Sequence, residues 1–301
     1  MISLGFGEEG LSGPGSMVGV FSMKRGRVGL TFLTVCFFVG CGSARSQEAT
    51  FEGLAYRLHR PSDSKTHPLL VYLHGAGGGW NRSLMKPAFQ KAHPCFVLVP
   101  KTKGFWISPA SKSPDWSEEK MRSYSRSLQK LIRKAMARNE SEKPKVLLAL
   151  IGLIESLVQQ YPIDRNRIYV LGHSMGGMGS WEAIWERPDL FAAAVPSSGV
   201  ISLWKDLERV KSVPIWAFHG SKDRAVPVEG TRALFSRLQK LKGKMKYTEL
   251  TGEGHNSGRI AFSYSGDDPS RGWGTRSSSP DCDPTKGLWD WLFAQSQEGR
   301  R

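Results

Sequence analysis

Residues 170–177 read Val-Leu-Gly-His-Ser-Met-Gly-Gly, and this stretch decides the fold. A β-prone run over 167–171 leads into it, and a helix-prone run over 179–187 follows it. Gly172 and Gly176 let the chain reverse tightly between the two, because glycine tolerates backbone angles that other residues avoid. In a Gly-x-Ser-x-Gly turn between a strand and a helix, the serine hydroxyl stands exposed above a sheet. Ser174 is therefore the candidate nucleophile.

A serine hydroxyl needs a base, an acid that orients the base, and donors for the oxyanion. Asp223 and His255 each lie in a turn-rich segment just after a predicted strand, where an open sheet places its ligands. We therefore predict Ser174 as nucleophile, His255 as base and Asp223 as the orienting acid. Asp206 and Glu253 are alternative acids, and Asp223 could instead cap the helix that follows it.

The oxyanion donors are predicted in a glycine-rich loop upstream. Residues 74–78 read His-Gly-Ala-Gly-Gly and follow a predicted strand. This loop lets the backbone N–H of Ala76 approach a reacting carbonyl, and the N–H of Met175, at a helix start, is the second predicted donor. Gly77 in the same loop and Trp106, just past a strand end, are candidate substrate contacts.

Strands alternate with helices along the chain, which predicts an α/β fold with a mainly parallel central sheet and helices on both faces. The predicted strands span 51–58, 69–73, 96–100, 167–171, 191–195, 213–218 and 246–250, and further helices span 146–160, 228–241 and 288–294.

Two segments look added to this scheme. Residues 101–145 carry apolar side chains at helical spacing with basic ones between them, which predicts an inserted basic helix. If its cationic face borders the site, anionic esters would be favoured; the alternative is a solvated face. Residues 258–286 are rich in Gly, Ser, Asp and Pro without periodicity, which predicts a long loop.

These motifs resemble those of the α/β-hydrolases. The chain is similar to exported esterases of the feruloyl-esterase, polyhydroxybutyrate-depolymerase and phospholipase/carboxylesterase type. The likeness covers roughly residues 51–295 and rests on residues 74–78, 161–169, 172–177, 179–181 and 219–227. It implies the α/β-hydrolase fold and hydrolysis of small or polysaccharide-linked carboxylic esters through an acyl-enzyme on Ser174, without a cofactor. The long segment after His255 departs from the family pattern.

Two other functions stay open on the sequence alone. A serine peptidase is one, because prolyl-oligopeptidase-like catalytic domains share these motifs. A binding module on an inactive hydrolase scaffold is the other, although the intact order of Ser174, Asp223 and His255 argues against it.

The N-terminal region differs in character from the predicted catalytic domain, residues 47–301. Residues 1–22 are Gly-rich and aperiodic, typical of an unstructured extension or of a start assigned too early. Residues 23–46 combine a basic run, a short apolar run and small residues, the pattern of a signal peptide. We expect export, with either cleavage before Gln47 or lipidation of Cys41 as a membrane anchor; a buried hydrophobic helix is the alternative.

Composition limits the classes of partner. Lys and Arg total 42 against 27 Asp and Glu, a net charge of +15. An excess of basic residues favours anionic partners. The sequence contains no nucleic-acid recognition motif, so we do not expect the protein to bind nucleic acid. Neither Cys-x-x-Cys nor His-Glu-x-x-His occurs, so no metal site is predicted. Cys95 and Cys282 could pair after export, but the sequence gives no distance between them.

Overall fold

A nine-stranded sheet forms the centre of the fold. The computed structural model describes residues 48–79, 82–106, 145–201, 205–298 and 300, together with positions 122, 126, 129 and 133. The strands are β1 (Glu48–Phe51), β2 (Leu54–His59), β3 (His67–Leu73), β4 (Phe96–Lys101), β5 (Ile163–His173), β6 (Ala193–Ser197), β7 (Ile215–Gly220), β8 (Met245–Leu250) and β9 (Gly274–Ser277).

The sheet is parallel except at its edges. Across it the strands follow the order β1-β2-β4-β3-β5-β6-β7-β8-β9, and β3 to β8 run parallel to one another. β1 and β2 at one edge and β9 at the other pair antiparallel. Every residue of β3 is buried, as expected of a parallel strand covered on both faces. The predicted α/β fold with a mainly parallel sheet is confirmed.

Helices cover both faces of this sheet. They are α1 (Pro87–Ala92), α2 (Lys145–Gln160), α3 (Met175–Glu186), α4 (Val228–Lys240), α5 (Ser257–Ala261) and α6 (Leu288–Ala294), with 3-10 helices at Arg82–Met85, Leu207–Val210 and Pro269–Arg271. Successive side chains of a strand point to opposite faces. Leu69, Val71 and Leu73 of β3 accordingly enter one hydrophobic cluster with α2, α3 and α4, whereas Leu70 and Tyr72 enter a second with α6.

The carboxyl ends of the parallel strands meet at one edge of the sheet. β5 ends at His173, β7 at Gly220 and β8 at Leu250. The loops that follow them carry the three residues predicted for the triad. The topology therefore gathers these loops on one side of the molecule, where open α/β sheets bind their ligands.

The predicted strand over 51–58 is in fact a hairpin. β1 and β2 pair antiparallel through a two-residue turn at Glu52 and Gly53, whose φ angles are 47° and 79°. Two successive positive φ angles are typical of the type I′ turn, whose twist matches that of the flanking strands. The alternation of apolar residues did not reveal the turn because Glu52 is not a typical turn residue at such a position.

The prediction of a long loop over 258–286 is wrong. The segment contains most of α5, a 3-10 helix and β9, which extends the sheet beside β8. β9 has only four residues and mixed exposure, so it shows no clear alternation in the sequence. Its pairing with β8 is reinforced by the 2.8 Å hydrogen bond between the hydroxyls of Thr248 and Thr275.

Two sequence predictions fall largely outside the described residues. Residues 1–47, which include the predicted signal peptide, are not described. In the predicted basic helix, only Arg122, Arg126, Gln129 and Arg133 are described, and all four have helical conformation. The relation of this helix to the site therefore stays a prediction.

The structure leaves both cysteines of the catalytic domain unpaired. Cys95 is buried and Cys282 is partly exposed, and each is a free thiol. Burial raises the pKa of the Cys95 thiol to about 12, so it is unreactive at neutral pH. Among the described residues, no helix is long and apolar enough to cross a membrane.

Candidate active site

Ser174 occupies the sharp turn between β5 and α3. Its φ and ψ are 58° and −119°, a conformation that L-residues rarely adopt and that marks stored backbone strain. The turn fits only because glycines flank it: a Cβ on Gly172 would lie 2.5 Å from Gly176, and one on Gly176 would lie 1.9 Å from the carbonyl oxygen of Leu73. The backbone N–H of Ser174 donates to the carbonyl of Ser197, 2.9 Å away. The geometry is that of a nucleophile elbow.

His255 joins Ser174 to Asp223. Its Nε2 lies 2.8 Å from the hydroxyl of Ser174, and its Nδ1 lies 2.8 Å from Oδ2 of Asp223. An ionised carboxylate only accepts hydrogen bonds, so Nδ1 carries the hydrogen and Nε2 is left to accept from the serine. About a third of the His255 side chain is exposed, whereas the Asp223 side chain is fully buried. The predicted base thus has access to solvent, whereas the predicted acid has none.

Asp223 is held as a carboxylate by donors on every side. Its Oδ1 accepts from the backbone N–H groups of Ala225 and Val226, at 2.8 and 2.9 Å. Burial by itself raises the pKa of Asp223, but hydrogen bonds from His219, His255 and the backbone hold this pKa well below its usual range. The carboxyl therefore stays ionised at neutral pH.

His219 supplies one of these donors. Its Nε2 lies 2.9 Å from the carbonyl oxygen of Val226 and 3.3 Å from Oδ2 of Asp223. Both neighbours are acceptors, so Nε2 carries a hydrogen. Its Nδ1 lies 2.8 Å from the hydroxyl of Thr231. His219 therefore helps to hold both Asp223 and the turn that follows it.

The predicted oxyanion loop lies against the elbow. A Cβ on Gly75 would be 3.6 Å from the Cβ of Ser174, so the two segments nearly touch. Ala76 and Gly77 follow, and both are exposed. Met175 is the first residue of α3, where a backbone N–H has no partner within the helix. The N–H groups of Ala76 and Met175 therefore remain the predicted donors for an oxyanion.

His74 and Trp106 fix the start of this loop. Nε2 of His74 accepts from the backbone N–H of Thr102 at 3.0 Å, so its Nδ1 carries the hydrogen and donates to the carbonyl of Gly75 at 2.7 Å. The indole N–H of Trp106 donates to the carbonyl of His74 at 3.0 Å.

Trp106 does not line the site as predicted. Its side chain is fully buried, and a Cβ on Gly179 of α3 would lie 2.4 Å from the Cβ of Trp106. The tryptophan therefore belongs to the core beneath the oxyanion loop. Its hydrogen bond to His74 ties it to the start of the predicted oxyanion loop.

Three buried serines behind the base were missed by the sequence analysis. The hydroxyl of Ser257 lies 2.9 Å from that of Ser197 and 2.7 Å from that of Ser198, and all three are fully buried. Buried hydroxyls are costly unless paired, so such a cluster holds its segments together. The available signal was positional: two serines follow the apolar run over 191–195, and the third comes two residues after His255.

His173, the neighbour of the nucleophile, packs against the base. Its ring centroid is 5.0 Å from that of His255, and its Nδ1 has no hydrogen-bond partner among the residues that the structure describes. Burial, aided by the nearby His255, lowers the pKa of His173 to about 4. This imidazole is therefore neutral at physiological pH and unsuited to act as a general base there.

Neither alternative acid contacts His255. The carboxylate of Asp206 caps the 3-10 helix Leu207–Val210 by accepting from the N–H of Glu208. Glu253 has a backbone role: its carbonyl accepts from the N–H of Lys222 at 2.8 Å. Across the described part of the chain, no group of three or more His, Cys, Asp or Glu side chains could hold a metal ion.

Comparison with known proteins supplies the family. The model of the phospholipase/carboxylesterase family matches residues 59–262. The crystal structure of a thermostable esterase, 31% identical in sequence, matches with a TM-score of 0.59 over 84% of this chain and 63% of that one.

Two curated relatives match over shorter stretches. A bifunctional acetylxylan esterase/xylanase of Neocallimastix patriciarum is 34% identical over 71 residues, which are 24% of this chain and 10% of that protein. An uncharacterized secreted protein of Arthroderma benhamiae is 26% identical over 115 residues, 29% of this chain and 12% of that protein. The chain thus matches only about a tenth of the length of either relative.

Proposed function

Because this chain belongs to the phospholipase/carboxylesterase family of α/β-hydrolases, we propose that it is a serine esterase that hydrolyses carboxylic esters through an acyl-enzyme on Ser174. The observation that carries the proposal is the continuous chain of hydrogen bonds from Asp223 through His255 to Ser174. A carboxylate, an imidazole and a serine hydroxyl linked in this order form the arrangement that activates a serine as a nucleophile.

Acylation uses the proton of Ser174. His255 Nε2 accepts this proton as Oγ attacks the ester carbonyl carbon, and the imidazolium that forms is stabilised by the carboxylate of Asp223. The carbonyl oxygen becomes an oxyanion, which the N–H groups of Ala76 and Met175 would stabilise. As the C–O bond to the alcohol breaks, His255 returns the proton to the leaving oxygen.

Deacylation repeats these steps with water as the nucleophile. The exposed part of His255 lets a water molecule approach Nε2 once the alcohol has left. The base removes one proton from that water, the hydroxide attacks the acyl carbon, and the proton then passes to Ser174 Oγ. The acid is released and the free enzyme is restored.

The substrates we propose are small or polysaccharide-linked esters. A relative that is an acetylxylan esterase/xylanase supports esters carried on polysaccharide, and the likeness to a thermostable esterase supports ester over peptide chemistry. We propose no cofactor, because the three side chains and two backbone donors account for each proton transfer and charge in this cycle.

Fluorophosphonate labelling followed by an ester and peptide panel tests the function. Wild type should be labelled and should hydrolyse para-nitrophenyl acetate, whereas Ser174→Ala should lose labelling and a factor on the order of 10⁵ or more in kcat. Ser156→Ala, a serine on α2 that accepts a hydrogen bond from Gln160, is the matched control and should behave as wild type. Peptide cleavage without ester cleavage, or an unlabelled wild type, would refute the esterase.

Export forms part of the same proposal. It rests on the basic and apolar pattern of residues 23–46. Cell fractionation with mass spectrometry of the mature N-terminus should find the protein outside the cytoplasm, beginning at Gln47 or at a lipid-modified Cys41. A cytoplasmic protein that retains residues 23–46 would contradict export.

A further inference from the structure

A cavity lies at the end of the sheet where the carboxyl ends of the parallel strands meet, as the three predicted triad residues do. Gly274, the first residue of β9, lies opposite Glu249 near the carboxyl end of β8. The chain entering β9 therefore lies beside the loops that carry the triad. On its other side the cavity is bounded by α5, which begins two residues after His255. Its volume is about 480 Å³, within the range of small-molecule sites.

Basic and acidic side chains share the wall of this cavity. Arg259, Asp267, Asp268, Arg271 and Trp273 all line it. The guanidinium of Arg259 is exposed and has no hydrogen bond or ion pair with any described residue. Arg271 lies over the ring of Trp273, 4.7 Å from its centroid, and 3.5 Å from Oδ2 of Asp268. The cavity thus offers guanidinium donors beside carboxylate acceptors.

The two carboxylates are ionised and fixed in place. Asp267 Oδ1 accepts from the hydroxyl of Tyr264 at 2.7 Å and from the N–H of Thr275 at 3.0 Å. Asp268 Oδ1 accepts from the N–H and hydroxyl of Ser270. A carboxylate has about four acceptor positions, so both retain capacity for a ligand. These carboxylates are therefore pre-organised acceptors.

The balance of charge selects the class of ligand. Two guanidinium groups and two carboxylates give the cavity no net formal charge, which disfavours a strongly anionic ligand. A hydroxyl group of a ligand can donate to a carboxylate and accept from a guanidinium. A sugar ring carries several such hydroxyls on adjacent carbons, so it can use both kinds of group in this cavity. The wall is mainly polar, and Trp273 within it is largely buried, so the cavity suits a hydrated, neutral ligand better than an apolar one.

We propose that this cavity is a subsite for neutral sugar units of the ester substrate, with Arg259 and Asp267 as its principal contacts. The inference rests on the proposed function for its biological role. It assigns the recognition of the carbohydrate that carries the ester to residues 258–273, which belong to the long segment after His255. It also places this recognition on the side of His255 away from the oxyanion loop.

Binding of xylotriose to full-length protein tests the subsite without any chemistry. Isothermal titration of Ser174→Ala should detect xylotriose, and adding Arg259→Gln should weaken its Kd about tenfold, as expected for losing a charge-assisted hydrogen bond. Arg259 is exposed, so the replacement should fold. Arg165→Gln, an exposed arginine near the amino end of β5, is the matched control and should leave Kd unchanged.

Kinetics then link the subsite to the reaction. The ratio of kcat/KM on acetylated xylotriose to that on para-nitrophenyl acetate should fall about tenfold in Arg259→Gln and stay constant in Arg165→Gln. An unchanged ratio, absent binding of xylotriose, or tighter binding of trigalacturonate than of xylotriose would overturn the subsite. Inactivity of wild type towards every ester would instead refute the proposed function, while the titration would still decide whether the cavity binds sugar.

Discussion

The hydroxyl of Ser257 lies 2.7 Å from that of Ser198, and this contact ties the first turn of α5 to the end of β6. The same hydroxyl lies 2.9 Å from Ser197, whose carbonyl accepts the backbone N–H of Ser174. One buried cluster therefore touches the segments of both the base and the nucleophile. His255 lies only two residues before Ser257, so the cluster helps to hold the segment that carries this histidine.

Ser257→Ala should lower kcat by more than its loss of folding stability can explain. Removing the central hydroxyl leaves two buried partners poorly satisfied and frees the segment that carries His255, so we expect kcat to fall about tenfold with KM nearly unchanged. Initial rates taken well below the melting temperature measure this. Ser278→Ala removes a buried serine near the amino end of β8, where its hydroxyl bonds to Gly243 and Met245. This variant should have a lower Tm without the loss in kcat. Equal kcat in the two variants would exclude a positioning role.

Gly258→Ala should impair catalysis through a steric clash. A Cβ at this position would lie 2.7 Å from Cγ of His173, closer than van der Waals contact allows. The ring of His173 is partly buried and packs on His255, so we expect α5 to shift and the 2.8 Å contact between His255 and Ser174 to lengthen. We expect kcat/KM to fall by about 10²-fold, because misplacement of about 1 Å costs this much.

The matched control for Gly258→Ala is Gly274→Ala on β9. A Cβ at Gly274 would meet nothing within 4 Å. This variant should therefore retain activity and stability. If both variants kept full activity, the contact between Gly258 and His173 would have no role in placing the base.

The parts of the site that depend on local backbone conformation could be predicted from the sequence. The strained turn at Ser174 and the buried strands each show their own composition or spacing, and the structure has them where the sequence predicts them. Contacts between distant segments left no such signal. Ser257 meets Ser198 across 59 residues of sequence, and β9 is too short and polar to alternate. Trp106 follows a strand end as a pocket residue would, but only its packing on Gly179 reveals that it is buried.

Asp223→Asn should nearly abolish activity while keeping the fold. An amide can preserve the bonds from Ala225 and Val226 at one oxygen, but its NH₂ group would then face His255 Nδ1 and reverse the tautomer. By analogy with other serine hydrolases, kcat should fall by roughly 10³–10⁴. Since the pKa of Asp223 lies well below its usual range, wild-type activity should show no acid limb from this carboxyl above pH 4. Retention of more than a tenth of kcat would contradict the assigned role.

Trp106→Phe should weaken the oxyanion loop without emptying the core. Phenylalanine fills most of the indole volume but cannot donate to the carbonyl of His74, a bond of 3.0 Å in the native protein. We expect kcat to fall about tenfold, consistent with the loss of one buried hydrogen bond. Trp291→Phe is a control of similar burial in the second hydrophobic cluster, away from His74. A larger loss of kcat there than at Trp106 would count against the positioning role.

The burial of His173 should make stability fall in mild acid. An unfolded histidine has a pKa of about 6.5, whereas burial and the nearby His255 lower the pKa of His173 in the fold to about 4. Between these values the unfolded chain binds a proton that the native state does not, so the free energy of unfolding decreases as the pH falls from about 6.5 towards 4. The slope for one such group approaches 1.4 kcal/mol per pH unit.

Urea unfolding of wild type and His173→Gln at pH 7.5 and pH 5 isolates this contribution. Glutamine does not titrate, so any stability advantage of wild type should shrink by about 1–2 kcal/mol between the two values. Titrating groups that do not interact with His173, such as His74, whose pKa is also lowered by burial, affect both proteins alike and cancel in the difference. If the unfolding free energies of wild type and His173→Gln differed by the same amount at both pH values, His173 would take up its proton in the folded state as readily as in the unfolded chain.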